Sequence, residues 1–542
     1  MDCCELATFY RRSGKGTNLL LPAILNIRFA LLRSNHVLRI PARRRLALTR
    51  ARDAPHMAPM PAPTKPARPR FDSRLLEGPI VRSLFVLAVP IMAANILQVA
   101  YQLVDAFWVG RLGAAAVAAV SVTLPLMFVL VAAGMGFAIA GTTLIAQYTG
   151  AGDHDMVDHV AAQTLLTILV ISILLAAIGF AAAPWLLHRM DVAPDVYANA
   201  LAFIRVIFAA LPLMFVYAMA QALMRGVGEV RAPLFIVATT VVVNFILDPI
   251  LIFGKFGAPA WGVVGAAVAT VISQALAAAI ALRLLFGGRY GIHVHWKDFR
   301  PDFAFVRRAF LLGYPASIEQ SMRGIGMTVM TFLITTFGTV VTASFGVGTN
   351  VANVVVIPAM GFSMATSTLV GQNIGAGNVA RAERVARLSA LITFVSLTAI
   401  GVLCIVFAPH IVRFFVPKSP AVIAEGARLI RIMAWSFGFV GLQFALLGVL
   451  RAAGEMVPAM MTSLVSQWVL QIPLAWFLSQ HTPLGADGLW WAMPAANIAT
   501  SIIAGFLFLR GTWKTKRLLH RPTLVEKEQE EVEEQAQMEG SL

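Results

Sequence analysis

From about residue 80 to 511 the chain is a succession of apolar blocks, each long enough to cross a bilayer. A helical span takes roughly 20 apolar residues. In hydrocarbon no water satisfies backbone N–H and C=O groups, so only α-helices or a closed barrel can cross it. No segment alternates apolar and polar residues with the period of a membrane barrel strand. Hydrophobic residues make up 58% of the chain and charged ones 13%, against about a quarter charged in soluble domains. The expectation is an all-α polytopic membrane protein.

The chain is also written twice. MGFAIAGTTLIAQYTGAGD starts at Met135 and MGFSMATSTLVGQNIGAGN at Met360, an offset of 225 residues. The match includes Gln147 with Gln372 and Gly150 with Gly375. LAVP ending at Pro90 faces LGYP ending at Pro315, and LGAAAVAAVSV (112–122) faces FGTVVTASFGV (337–347). Later the offset is 226, with RGVGE (225–229) against RAAGE (451–455). So long and collinear a match marks a tandem duplication.

Each half divides into six helices. A first bundle is expected over 80–286, with spans near 80–109, 113–148, 155–188, 194–226, 231–254 and 263–286. A connecting loop, 287–303, leads to a second bundle over 304–511. Its spans are expected near 304–335, 339–373, 380–416, 420–451, 457–480 and 486–511. Six is even, so both halves begin on the same side, related by a pseudo-two-fold axis along the membrane normal.

Charge sets the orientation. The loop 287–308 carries Arg289, Lys297, Arg300, Arg307 and Arg308, and Arg381, Arg384 and Arg387 follow span eight. Basic loops stay in the cytoplasm, which puts both tails there, in a plasma (bacterial inner) membrane. GAGDHDMVDH (150–159) belongs on that side yet has no Lys or Arg. The net charge of +16 then follows from topology and calls for no nucleic-acid partner. Residues 1–79 form a basic, Pro-rich extension expected to be disordered, and 512–542 a charged tail. Met57 and Met60 are natural starts, so residues 1–56 are expected to be an over-extension of the reading frame.

An ionisable group at membrane depth is costly and marks a functional site by default. In span one, Asp105 has Tyr101 at i−4 and Gln98 one heptad earlier. In span five, VVVNFILDPILI (241–252) places Asn244 and Asp248 four residues apart on one helix face. Pro249 cannot donate to the Phe245 carbonyl. A carboxylate, an amide and a free carbonyl are hard oxygen ligands suited to Na⁺. Alternatively, a desolvated carboxyl carries a proton. Asp105 also stands six residues from Arg111, where an interfacial position facing water competes with a buried one. At the repeat offset Asp105 faces Met330, so ion coupling is expected in the first half. In span seven, Glu319 follows Pro315 by four residues and Arg323 follows Glu319 by four, either a self-neutralising pair or a group with a proton role or a place in a substrate cleft with Gln98 and Tyr101.

No catalytic set, nucleotide loop or metal cluster emerges, so neither an enzyme nor a cofactor is expected. Cys3, Cys4 and Cys404 cannot build a disulfide framework.

The stretch RGVGEVRAPLFIVATTVVVNFILDPILIFGKFGAPAWGVVGAAVATVISQ (225–274), with VDAFWVGRLG (104–113) and the paired AQYTGAG and GQNIGAG elements, resembles multidrug and toxic compound extrusion (MATE) transporters. The bacterial DNA-damage-inducible-type branch looks closest. The resemblance covers roughly residues 75–512. It implies twelve spans in two bundles around a central cleft. The implied activity is cation-coupled (Na⁺ or H⁺) antiport that exports organic cations, drugs or toxic metabolites by alternating access. It implies cation-coupling roles for Asp105, Asn244, Asp248 and the span-six Thr270. One branch carries an acid eight residues after the span-seven Pro; here that residue is Arg323, a departure. The expected partners are a small cationic, amphipathic substrate and membrane lipid, with the chain a monomer. The alternative is a lipid or lipid-linked oligosaccharide flippase of the same superfamily, for which a strongly cationic cleft is expected.

Overall fold

The computed structural model describes residues 74–257, 259–516, 518 and 519. Residues 1–73 of the basic extension and 520–542 of the charged tail lie outside the described residues. Among the described residues every regular element is helical. After a single turn, Arg74–Glu77, the first half comprises α1 (Ile80–Gly110), α2 (Ala114–Ala151), α3 (His154–Arg189), α4 (Pro194–Gly226), α5 (Arg231–Phe253) and α6 (Gly262–Phe286). The second begins with α7 (Phe303–Thr335), α8 (Thr339–Gly375) and α9 (Val379–Phe415). It continues with α10 (Pro420–Ala434 and Phe437–Ala452), α11 (Met456–Leu464, Val465–Gln471 and Ile472–His481) and α12 (Ala486–Arg510). With the bent α10 counted as one, 11 of these are long and apolar enough to cross a bilayer. The exception is α7, whose middle carries Glu319, Gln320, Ser321 and Arg323.

Pro90, Pro249, Pro315 and Pro358 sit inside their helices without ending them. Neighbouring helices and side chains re-satisfy the freed backbone in such bundles. Two spans depart from the continuous helices expected. α10 bends by 46° between Ala434 and Phe437. There Ser436 directs both its N–H (3.0 Å) and its hydroxyl (2.9 Å) to the Met433 carbonyl, and this i−3 pairing breaks the i−4 ladder. α11 widens into a π-helical turn over Val465–Gln471. The α10 bend follows no proline, whereas Pro473, two residues past the π-helical turn, leaves the Val469 carbonyl inside it without its i−4 partner.

The first helix of each half packs on the second helix of the other, α1 on α8 and α7 on α2. α2 and α8 meet at the duplicated motif. A Cβ on Gly150 would collide with the Gln372 backbone, and one on Gly375 with the Gln147 backbone, so only glycine permits this crossing. The polar contacts are also reciprocal. Gln147 Nε2 donates to the Ala452 carbonyl at 2.8 Å, and Gln372 Nε2 to the Gly226 carbonyl at 3.0 Å. Thr143 Oγ1 donates to the Arg451 carbonyl at 3.1 Å, and Thr368 Oγ1 to that of Arg225 at 3.1 Å. The repeat seen in the sequence is a seam that ties the two halves together where α2, α4, α8 and α10 end.

The same end carries the basic connection between the halves, and that connection explains the segment lacking Lys and Arg. Asp158 Oδ1 accepts from the His293 N–H at 2.6 Å, and His159 meets Asp302 at 3.3 Å. Gln163 Nε2 donates to the carbonyls of Asp298 and Arg300 at 2.7 and 2.6 Å. The acidic start of α3 thus pins the connection beneath the first half.

Candidate functional site

Two polar clusters lie within the spans, one in each half. In the first half α5 turns Asn244 and Asp248 inward, both fully buried. The i, i+4 spacing lets Asn244 Nδ2 donate to Asp248 Oδ1 at 3.1 Å. α1 brings up Tyr101, 8% exposed, and the partly buried Asp105. α6 contributes Thr270, also partly buried. The Tyr101 hydroxyl faces Thr270 and lies within electrostatic reach of both carboxylates, which in turn lie within electrostatic reach of each other. Tyr101, Asp105, Asn244, Asp248 and Thr270 are therefore brought together. Gln98 is not, since one heptad away its side chain is exposed.

This cluster is short of positive charge. Among the described residues no Lys, Arg or His pairs with Asp105 or Asp248. Asp105 Oδ1, Asn244 Oδ1, Asp248 Oδ2 and the Tyr101 hydroxyl are buried without a hydrogen-bond partner. Buried polar atoms are ordinarily satisfied, and leaving one bare costs about 1–3 kcal/mol. Four bare oxygens on converging helices have the chemistry of a site for a small hard cation. Two carboxylates are fewer than a dedicated multi-carboxylate metal centre, and among the described residues no group of three His, Cys, Asp or Glu could hold a metal ion.

The second cluster differs in sign. Glu319 on α7, 2% exposed, accepts three bonds at one oxygen, Oε1. They come from Arg323 at 3.3 Å, Arg451 at 2.6 Å and Ser463 at 2.8 Å. The expected Glu319–Arg323 pair is present, but its stronger partner is Arg451, at the end of α10. Sequence reasoning missed Arg451 because the pairing spans 132 residues. Its one signal was the repeated RGVGE and RAAGE, read only as part of the duplication. In the first half the matching Arg225 donates to Gln221 at 3.0 Å instead.

Paired six-helix halves with bare, desolvated oxygens between the spans of one half are the architecture of a membrane transporter, not of an enzyme. The chain belongs to the MatE family, whose model matches it twice, over residues 90–250 and 315–477. It is 29% identical over 441 residues to the probable multidrug resistance protein YoeA of Bacillus subtilis, covering 81% of this chain and 95% of that one. It is 23% identical over 435 residues to the multidrug export protein MepA of Staphylococcus haemolyticus, covering 80% and 94%. A solved outward-facing multidrug resistance MATE family transporter of the MOP superfamily superposes with a TM-score of 0.76 at 23% identity. That superposition covers 82% of this chain and 98% of the other. A MATE crystal structure in complex with MaL6 gives 0.76 at 24% identity over 81% and 98%.

Proposed function

We propose that this chain is a cation-coupled multidrug antiporter of the plasma membrane. It exchanges Na⁺ or H⁺ for organic cations, drugs or toxic metabolites by alternating access. In this reading the ion occupies the first-half cluster: Asp105 and Asp248 supply charge, Asn244 orients Asp248, and Thr270 and Tyr101 complete an oxygen shell. The halves rock about the α2–α8 crossing, with both termini cytoplasmic and the monomer as the working unit. The observation that carries the reading is the set of four buried, unpartnered oxygens in a chain whose relatives bear multidrug export names.

Two carboxylates within electrostatic reach of one another repel, and an incoming cation or proton relieves that repulsion. Binding there lowers the energy of one state of the transporter relative to the other, which is what coupling requires. The test is transport of a fluorescent cationic dye in proteoliposomes under separately imposed Na⁺ and H⁺ gradients. One gradient is expected to drive efflux, and Asp248→Asn to abolish it with the protein still folded in the membrane. Efflux of wild-type magnitude by that variant rules the assignment out.

A further inference from the structure

The two halves descend from one repeat yet carry opposite electrical character. Where the first half has Asp105 the second has Met330. One carboxylate, Glu319, serves two guanidiniums, so one positive charge is left over. Arg451, with its side chain 12% exposed, is turned to Glu319 by the shorter contact. The Arg323 side chain is 40% exposed and enters a cavity of about 370 Å³.

Arg323 is the one charged residue among the described residues lining that cavity. The rest of its polar lining is neutral and hydrogen-bonding, including Asn353, Gln443, Gln471 and Asn497, while Phe437 and Phe444 form an apolar wall. Part of the lining, Ser466, Gln467 and Gln471, comes from the π-helical turn of α11. Such turns occur disproportionately at functional sites. Gln467 Nε2 donates to the Arg323 carbonyl at 3.1 Å, fixing the turn against α7. A surplus guanidinium in a low-dielectric cavity, surrounded by neutral amides, is complementary to an oxyanion. Its planar fork matches carboxylate or phosphate.

We propose that this second-half cavity binds a carboxylate or phosphate group of the exported molecule, with Arg323 as the anion contact. This rests on the export reading above and adds a substrate class to it, cargo that carries an oxyanion and is zwitterionic where it also bears an amine. The Glu319 carboxylate holds Arg323 in place, Arg451 in turn holds Glu319, and neither touches the cargo.

The test is equilibrium binding to the purified full chain, without gradients, read by fluorescence anisotropy with rhodamine B and its ethyl ester. Wild type is expected to bind the free carboxylate at least about tenfold tighter than the ester, the scale of one charge-assisted contact. Arg323→Gln is expected to weaken the acid alone, and Arg323→Lys to keep only the part of the preference that charge without the planar fork supplies. Displacement of the acid by benzoate or by phenyl phosphate tells which oxyanion the site prefers. Equal wild-type affinities for acid and ester overturn the proposal, as does displacement by neither competitor. The acid–ester comparison needs only wild type, so misfolding of a variant does not shelter the idea. Asp248→Asn is expected to leave the preference intact, so failure of ion coupling and failure of the anion subsite are seen separately.

Discussion

Gln147 and Gln372 hold equivalent positions in the two halves, and each gives its side-chain amide to a backbone carbonyl of the other half, Ala452 at 2.8 Å and Gly226 at 3.0 Å. Both side chains are buried, so each donor lost leaves a desolvated carbonyl behind, at about 1–3 kcal/mol. The pair is a latch on the end where the basic connection lies. Gln147 also accepts the Leu518 N–H at 2.9 Å, so the chain beyond α12 closes over the same point.

Gln147→Leu combined with Gln372→Leu is expected to open that end. The buried Thr149, changed to Cys in a chain without other cysteines, reports it. Maleimide labelling at this position should quicken at least about tenfold, the change that about 1.4 kcal/mol produces. An unchanged labelling rate shows that the amides do not hold the seam.

Asp105→Asn is expected to stabilise the protein while ending coupled transport. It removes one of two neighbouring carboxylates that lack a basic partner, and functional sites commonly store such strain. In Na⁺-free neutral buffer the thermal midpoint should rise by about 1 °C for each kcal/mol of repulsion relieved in a chain of this size. Stabilisation by added Na⁺ should shrink at the same time. A lower midpoint would show instead that the carboxylate is satisfied.

Glu319→Gln should be among the most damaging substitutions in the second half. It leaves Arg451 facing a neutral amide in a setting where stripping one partner from a buried ion pair costs about 3–5 kcal/mol. Arg323→Gln should be far milder, because Glu319 keeps its 2.6 Å bond to Arg451. Fluorescence-detected size exclusion after a heating series separates the two, and equal losses would contradict the ranking.

Acid should loosen the connection between the halves through Asp302. The Phe305 N–H, bound at the start of α7, and then His159 hold its carboxyl below the usual carboxylate range. A lowered folded value stabilises above the unfolded value of about 4 and is lost as pH falls through the folded one. Asp302→Ala should therefore flatten the stability loss between about pH 5 and 3. Proteolysis within 287–302 across that range measures it; identical profiles would remove Asp302 from the account.

Much of the architecture was legible because membrane burial leaves few ways to read an apolar block. The duplicated AQYTGAG and GQNIGAG were visible as a repeat, but their meaning as a seam needed the crossing of α2 and α8. Asn244 and Asp248 were paired by helical spacing alone. Joining them to Asp105 and Tyr101 took tertiary packing. Gln98 shares a helix face with Asp105, yet only the stretch of α1 near Tyr101 abuts the cluster. Arg451 escaped because periodicity sees partners four residues away, not across two spans. The bend at Ser436 is a side-chain hydrogen bond competing with the helix ladder, and the residue alphabet marks no such competition.

The π-helical turn at Val465–Gln471 carries slack. If it tightened into ordinary α-helix by one residue, everything downstream in α11 would swivel by about 100° about its axis. Gln471 would leave the cavity wall while Pro473 and Leu474 swept past it. A single-residue deletion inside the turn is therefore a gear change that re-indexes one wall of the chamber against a stationary α7.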